Sequence, residues 1–222
     1  MCDCMKCPGQ ENKRDLRLRR AIYFKHYDVL FVVSIWRSLK VNGIVNKAIV
    51  GLINEKYGKA VWSEILVKSS FPETTFSALK NYPDDITLSL ASAASDYLGL
   101  SLAETLLDLG KYWVTQVAME RYSVMMKSGG ASFSEFILNL PHFHSRVMLT
   151  FPDIVPPEFI VNQVSEKTFL LHYYSTRRGL VDFLEGIILG LGDLFQSEIL
   201  IERKFEKSLG ADHDVLLIKL MT

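Results

Sequence analysis

Two histidines, His142 and His144, lie two residues apart in a stretch that predicts a helix. Ser132 followed by Glu135 is a capping box, so the helix should begin near Phe133. Pro141 should kink or restart it, because proline lacks an N–H and clashes with the preceding turn. Two residues correspond to about 200° around a helix, so the two rings should point in nearly opposite directions.

The neighbours of each ring indicate where it points. Residues three, four and seven positions away share a helix face. For His142 these are mostly polar: Glu135, Leu138, Asn139, Ser145, Arg146 and Leu149. For His144 all are apolar: Ile137, Leu140, Pro141, Val147, Met148 and Phe151. His144 is therefore predicted to point into an apolar cavity. Periodicity alone favours a core histidine with one satisfied N–H over a ligand.

A second polar set follows a predicted strand, TFLLHYY, at residues 168–174. Side chains alternate along a strand, so Tyr173, Ser175 and Arg177 share one face if the strand continues. A guanidinium with two hydroxyls suits a carboxylate or a phosphate, because all three groups donate hydrogen bonds to oxygen. Taken alone, Y-x-S-x-R is a weak pattern that also fits an edge strand with polar ends.

Together, these features resemble the heme-nitric oxide/oxygen-binding (H-NOX) family, which is related to the heme sensor domain of soluble guanylate cyclase. A Pro-Pro pair follows His144 by 12 to 13 residues, and Y-x-S-x-R begins 29 residues after it. Further segments look like the stand-alone bacterial members: GIVNKAIVGLINEKYG, YPDDITLSLASAASDYLGL, KYWV, LHYYSTRRGL and GADHDVLLIK. The resemblance runs from about Val41 to the C-terminus.

The resemblance implies a heme b cofactor and assigns its ligands. His144 would be the proximal iron ligand, and Tyr173, Ser175 and Arg177 would bind the propionates. Pro157 would press on the porphyrin, and Met148 and Leu140 would line the proximal side. The sequence contains no C-x-x-C-H attachment motif, so the heme should be non-covalent.

The distal side should determine which gas binds. Bound O2 becomes negative and needs a hydrogen-bond donor, whereas bound NO does not. Family members that hold O2 carry a distal tyrosine on the helix after Y-x-S-x-R, where this chain has Phe183. Trp113 and Ile44 are further candidates for the distal wall, although Phe183 and Trp113 also fit simple core packing. The Trp113 indole N–H could in principle donate to O2.

The resemblance favours a non-enzymatic sensor of NO, and of CO, at a ferrous heme. NO should rupture the bond between iron and His144, and the heme should then relax from its distorted shape. A separate histidine kinase or cyclic-di-nucleotide enzyme would receive the signal. The alternatives are a heme enzyme, such as a peroxidase or an NO dioxygenase, and a passive heme carrier.

Composition agrees with a cytoplasmic protein. The formal net charge of the 222 residues is zero, so nothing in the overall charge favours nucleic acid. The three cysteines all lie within the first seven residues, so no disulfide framework is expected in the fold. No apolar run approaches the ~20 residues of a membrane span, so no membrane partner is expected.

Residues 1–40 fall outside the family pattern and are predicted to be an N-terminal extension, with the H-NOX domain at 41–222. The extension begins MCDCMKCPGQ and continues with a basic run and then an apolar run. Three cysteines are fewer than the usual four ligands of a structural zinc site. The preferred interpretation is an over-long start, with Val41 at the position of the family's initiator methionine. If these residues belong to the protein, they are expected to form an added N-terminal helix.

The remaining patterns predict an α+β fold: a helical N-terminal subdomain, then a four-stranded antiparallel sheet with one helix, and the heme sandwiched between them. Helices are expected at residues 44–57, 60–67, 83–98, 101–107, 110–126 and from Phe133, with a further one at 180–195. Strands are expected at residues 159–164, 168–174, 198–205 and 215–220.

Overall fold

The polypeptide follows this predicted order of helices and strands in a computed structural model, which describes residues 40–69, 71, 75–150, 156–177 and 179–221. Of the predicted extension only Lys40 falls within these ranges, so the interpretation of residues 1–40 remains a prediction.

The N-terminal half is helical. Its elements are β1 (Lys40–Asn42), α1 (Gly43–Lys56), α2 (Lys59–Lys68), β2 (Asn81–Pro83), α3 (Asp84–Leu98) and α4 (Leu102–Tyr112). The capping box at α4 is complete, since the Ser101 hydroxyl accepts from the Glu104 N–H and the Glu104 carboxylate accepts from the Ser101 N–H. At the end of α3, Gly99 adopts the left-handed conformation with φ 68°, which favours glycine.

Two features of this half were not predicted. The strands β1 and β2 pair antiparallel as a small two-stranded sheet at the start of α1 and α3. The predicted break between residues 107 and 110 is wrong, because α4 continues through Gly110 into a π-helical segment, Trp113–Ala118, and then α5 (Met119–Lys127). Glycine at position 110 lets α4 approach a later helix closely instead of ending it.

The C-terminal half contains α6 (Phe133–Thr150), β3 (Glu158–Ser165), β4 (Thr168–Tyr174), α7 (Val181–Leu194), β5 (Ile199–Phe205), a 3₁₀ turn (Lys207–Leu209) and β6 (Asp214–Leu220). The four strands form an antiparallel sheet in the order β3-β4-β6-β5. The α+β prediction is confirmed, with each strand end within one residue of its expected position.

Helix α7 joins the two halves. A Cβ atom on Gly110 would overlap the Phe183 carbonyl, and one on Gly186 would overlap the Leu107 carbonyl. Glycine at both positions therefore allows the α4 and α7 backbones to touch.

The buried apolar side chains of the described residues form two clusters. The helical cluster lies among α1–α4 and includes Leu52, Trp62 and Leu90. The sheet-side cluster joins α6 and α7 to the inner face of the sheet and includes Phe136 and Phe169. Trp113 packs against both clusters, so the start of the π-helical segment lies where they meet.

Within the described residues, no single helix combines the length and apolarity that a membrane crossing requires; a bent pair, Asp84–Leu98 with Leu102–Lys127, meets that test only when its parts are combined.

Candidate functional site

His144 projects from α6 into aromatic surroundings at the edge of the sheet-side cluster. Its ring lies 4.6 Å from the Phe159 ring of β3 and 6.0 Å from the Phe143 ring, measured between centroids. Leu140 and Ile137, one and two turns earlier on the same helix face, are buried. His142 is exposed, so the predicted opposition of the two rings is confirmed.

The start of α6 shows how the sequence sets this orientation. The Ser132 hydroxyl accepts from the Glu135 N–H at 3.2 Å, and the Glu135 carboxylate accepts from the Ala131 N–H at 2.8 Å. These bonds fix the first turn near Phe133, as predicted, except that the carboxylate reaches Ala131 rather than Ser132. The helix then runs through Pro141 without restarting.

The His144 imidazole is held in its neutral form. Burial lowers its pKa to about 4, and the nearby Leu140 carbonyl opposes this only partly. Nδ1 of His144 is buried and has no hydrogen-bond partner among the described residues. A neutral imidazole is the form in which histidine binds iron.

The lowered pKa of His144 makes the free energy of unfolding depend on pH. An unfolded histidine has a pKa near 6.5, so between about pH 6.5 and 4 the unfolded heme-free chain binds more protons at His144 than the folded chain. The free energy of unfolding should therefore fall by about 3 kcal/mol as pH drops through that window. Urea unfolding at several pH values measures it: His144→Phe should flatten the fall, and His142→Phe should not. An unchanged pH dependence in His144→Phe would contradict the burial.

Tyr173, Ser175 and Arg177 converge as predicted, but by a different route. Strand β4 ends at Tyr174, so alternation along a strand cannot align all three side chains. Instead the chain turns, and the Ser175 hydroxyl accepts from the Arg177 N–H at 3.1 Å. Tyr173 lies close enough to both Ser175 and Arg177 for these two residues to lower its pKa. Its pKa is raised, mainly by burial, so its hydroxyl is a hydrogen-bond donor.

The sequence did not indicate the partner of Arg177. Its Nε donates to Asp84 Oδ2 at 2.7 Å, and both side chains are more than four-fifths buried. Asp84 is the first residue of α3, so this ion pair connects the helical half to the turn after β4. The other oxygen, Oδ1, is buried without a partner among the described residues.

The rim of the trio carries a second cation. Lys207 Nζ donates to the Ser175 carbonyl at 2.6 Å, and the Lys207 N–H donates to Oδ1 of the buried Asp214 at 2.8 Å. The 3₁₀ turn is thereby fixed against the end of β4, and the two cations Arg177 and Lys207 lie beside the two carboxylates Asp84 and Asp214.

The other predicted pocket residues occupy varied positions. Leu140 is buried and Pro157 is half-buried, two residues before Phe159. Met148 is 47% exposed, so only part of its side chain can face a pocket. Phe151 lies outside the described residues.

The three predicted distal residues lie on three different elements. Ile44 is buried at the start of α1, and Phe183, on α7, packs against the helical cluster. Trp113 borders both clusters. His144 contacts Phe143 and Phe159, which belong to the sheet-side cluster.

Comparison with known proteins matches this chain to the Haem-NO-binding family model and to soluble guanylate cyclases. The Haem-NO-binding family model matches residues 42–203, which is more than half of the chain. Soluble guanylate cyclase gcy-31 of Caenorhabditis elegans is 28% identical over 176 residues, covering 78% of this chain and 25% of the relative. Guanylate cyclase soluble subunit beta-2 of Rattus norvegicus is 31% identical over 115 residues, covering 49% and 17%. The chain thus spans about a quarter or less of these curated relatives.

Solved structures share the fold. An H-NOX protein from S. oneidensis in the Fe(II)NO ligation state aligns with a TM-score of 0.74 at 21% identity, covering 82% of this chain and 100% of that one. An oxygen-binding H-NOX domain related to soluble guanylate cyclases, solved as its oxygen complex, aligns with a TM-score of 0.68 at 19% identity, covering 82% and 96%. The chain therefore belongs to the Haem-NO-binding family, the H-NOX heme-binding gas-sensor domains.

Proposed function

We propose that this chain is a cytoplasmic, heme-based NO sensor without catalytic activity of its own. It binds heme b non-covalently through His144 and responds to NO, and more weakly to CO. The observation that carries the proposal is the position of the His144 imidazole, whose Nδ1 is buried and whose ring packs against Phe159 on the sheet side, with Tyr173 and Arg177 one strand away.

The residues present fit a heme. A flat apolar disc with two carboxylates needs apolar walls, one neutral imidazole and donors at its rim. Phe143 and Phe159 supply apolar surface beside His144, and Tyr173 with Arg177 supplies an uncharged and a charged donor. Pro157 and Leu140 are proposed to contact the porphyrin from the proximal side.

His144 would hold the heme, and the bound group would supply a ferrous iron able to take up NO and to release the imidazole. The protein's contribution is to hold His144 neutral and then to accommodate its release. The Leu140 carbonyl lies near the ring, one turn earlier on the same helix. Since Pro141 has no N–H to donate, α6 lacks one internal hydrogen bond beside His144, which favours movement of the helix there.

The Asp84–Arg177 ion pair is proposed to carry that movement across the domain. It joins the first residue of α3 to the turn that binds the propionates, so a shift of the cofactor displaces a contact of the helical half. A ligand that favours one of two such arrangements shifts their populations, which is what a sensor requires. A histidine kinase or a cyclic-di-nucleotide enzyme is the proposed recipient.

The Arg177 assignment predicts that Arg177→Ala speeds heme loss. Losing a charge-assisted hydrogen bond costs about 1.5–3 kcal/mol, so the heme dissociation rate should rise at least about tenfold. Heme transfer to apomyoglobin measures the rate. Asp84→Asn breaks the same ion pair but keeps the guanidinium, so it should raise the rate less. Equal rates for the two variants would show that the ion pair, not a propionate contact, retains the heme.

The sensor can be separated from the two alternatives. Peroxidase chemistry needs an acid–base group over the iron. The proposed distal side chains, Ile44, Trp113 and Phe183, include no acid–base group of that kind. We therefore expect negligible peroxidase turnover and no catalytic consumption of NO in the presence of O2. A passive carrier should lose heme readily, whereas a sensor should lose it slowly and change its spectrum with NO. Fast peroxidase turnover, or rapid heme transfer to apomyoglobin without an NO response, would overturn the proposal.

A further inference from the structure

A pair of histidines lies on the face of the sheet opposite the proposed heme site. His172 belongs to β4, where the neighbouring Tyr173 points into the core and is buried. His213 directly precedes β6, the strand paired with β4. Nδ1 of His172 and Nε2 of His213 are 2.9 Å apart. Two ring nitrogens from adjacent strands are thus directed toward each other.

The outer nitrogens of both rings are also held. His213 Nδ1 contacts the Asp212 carboxylate at 2.6 Å, and the Asn162 amide contacts His172 Nε2 at 3.3 Å. The Tyr174 ring stacks on His213, with centroids 4.0 Å apart and planes 19° apart. Both imidazoles are therefore oriented by neighbours, which is the arrangement found around histidines that bind metals.

The contacts define one neutral proton arrangement. His213 donates from Nδ1 to Asp212, His172 donates from Nδ1 to His213 Nε2, and Asn162 donates from its amide to His172 Nε2. One proton therefore occupies the gap between the rings. Burial and the neighbouring His213 lower the pKa of His172, so a second charge on the pair is disfavoured.

We propose that His172 and His213 form a two-histidine binding site for Cu²⁺, which also binds Ni²⁺ and Zn²⁺ with lower affinity. Bonds of about 2.0–2.1 Å at a right angle place two nitrogen donors roughly 2.9 Å apart. That equals the present hydrogen-bonded separation of the two nitrogens. Binding therefore requires no change in their distance, but each ring must turn so that its lone pair leaves the line joining them and points at the ion. Imidazole suits Cu²⁺, Ni²⁺ and Zn²⁺, and the order of affinity favours Cu²⁺.

Binding requires one proton to move. The ion takes the lone pair of His213 Nε2, which is already free of a proton. The His172 proton shifts from Nδ1 to Nε2, and the exposed Asn162 amide rotates to accept it with its carbonyl oxygen. The neutral pair releases no net proton on binding, whereas a protonated pair releases one, so copper affinity should fall in acid.

The site has two protein ligands. Among the described residues, no group of three or more His, Cys, Asp or Glu side chains is arranged to hold a metal. Water would complete the coordination, and Asp212 would act through His213 rather than on the ion. Because this face is opposite that of Tyr173, the proposal is independent of heme binding.

Copper titration tests the proposal. The full-length, heme-loaded chain is used with Cys2, Cys4 and Cys7 replaced by serine, since these thiols also bind copper. Calorimetry with CuCl₂ should give one site per chain. His172→Ala and His213→Ala should each weaken it at least tenfold, and Asp212→Asn by about tenfold. His142→Ala, which removes an exposed histidine elsewhere in the fold, should leave it unchanged.

The spectrum of bound copper gives a test that needs no variant to fold. Electron paramagnetic resonance of the parent protein should show coupling to two imidazole nitrogens. Coupling to one nitrogen, or undiminished copper affinity in a folded His213→Ala chain, would overturn the proposal. If the alanine variants do not fold, the parent spectrum decides by itself.

Discussion

Replacement of His144 by alanine is expected to remove the protein's ligand from the heme iron, while His142→Ala leaves it in place. The two rings lie two residues apart on one helix, but only His144 packs against Phe159 with Nδ1 buried. Changes in partners outside a metal's ligand set cost about 10- to 100-fold in affinity, so loss of the ligand itself should cost more than about 100-fold. The Soret band of the purified protein and its heme dissociation rate measure this loss.

Free imidazole provides the matched control. It should enter the space left by the side chain in His144→Ala and restore the spectrum of a histidine-ligated iron. It should have little effect on His142→Ala, whose ligand is intact. If His142→Ala loses the spectrum and His144→Ala keeps it, the assignment of the proximal residue is wrong, and the interpretation of α6 is wrong with it.

The orientation of His144 was predictable because it depends on local periodicity. A ring on a helix takes the environment of the residues three, four and seven positions away, and those around His144 are apolar. The strands were predictable for a similar reason, since TFLLHYY and DVLLIK combine β-branched and aromatic residues with clear ends.

The contacts of Arg177 were not predictable in this way. Its partner Asp84 lies 93 residues earlier, and an acid at the start of α3 has an ordinary explanation in the helix dipole. The convergence of Tyr173, Ser175 and Arg177 was predicted for the wrong reason, because a strand was assumed to continue where the chain turns. The Ser175 hydroxyl instead accepts a hydrogen bond from the Arg177 N–H and forms a turn. This turn brings together the side chains that strand alternation was expected to align.

The π-helical segment had no sequence signal either. The pattern at residues 110–126 indicates a helix. One extra residue in a turn changes the apolar face too little for a π-helical turn to be recognised from the sequence. The consequence is local but matters for the site, because Trp113 opens that segment and contacts both apolar clusters.

Gas selectivity should depend on the side chain at position 183. Phe183 offers no hydrogen-bond donor, so air should not convert the ferrous protein to a stable oxygen complex, whereas NO should bind and leave the iron five-coordinate. Phe183→Tyr adds one hydroxyl at a place where the backbone is fixed, because the Phe183 carbonyl packs against Gly110. A donor to a charged acceptor is worth about 1.5–3 kcal/mol, so O2 should dissociate roughly 10- to 150-fold more slowly from the variant.

Absorption spectra of the ferrous protein under each gas test the prediction, with Trp113→Phe as the control for the other available donor. The parent and Trp113→Phe should behave alike toward O2, since the indole N–H is not expected to contribute. A stable oxygen complex in the parent that disappears in Trp113→Phe would make Trp113 the donor and end the NO-selective interpretation. A six-coordinate NO complex that persists would show that His144 is not released, and the sensing mechanism would then need another trigger. No gain of O2 affinity in Phe183→Tyr would place Phe183 outside the distal wall, because a hydroxyl within reach of the gas should strengthen its binding.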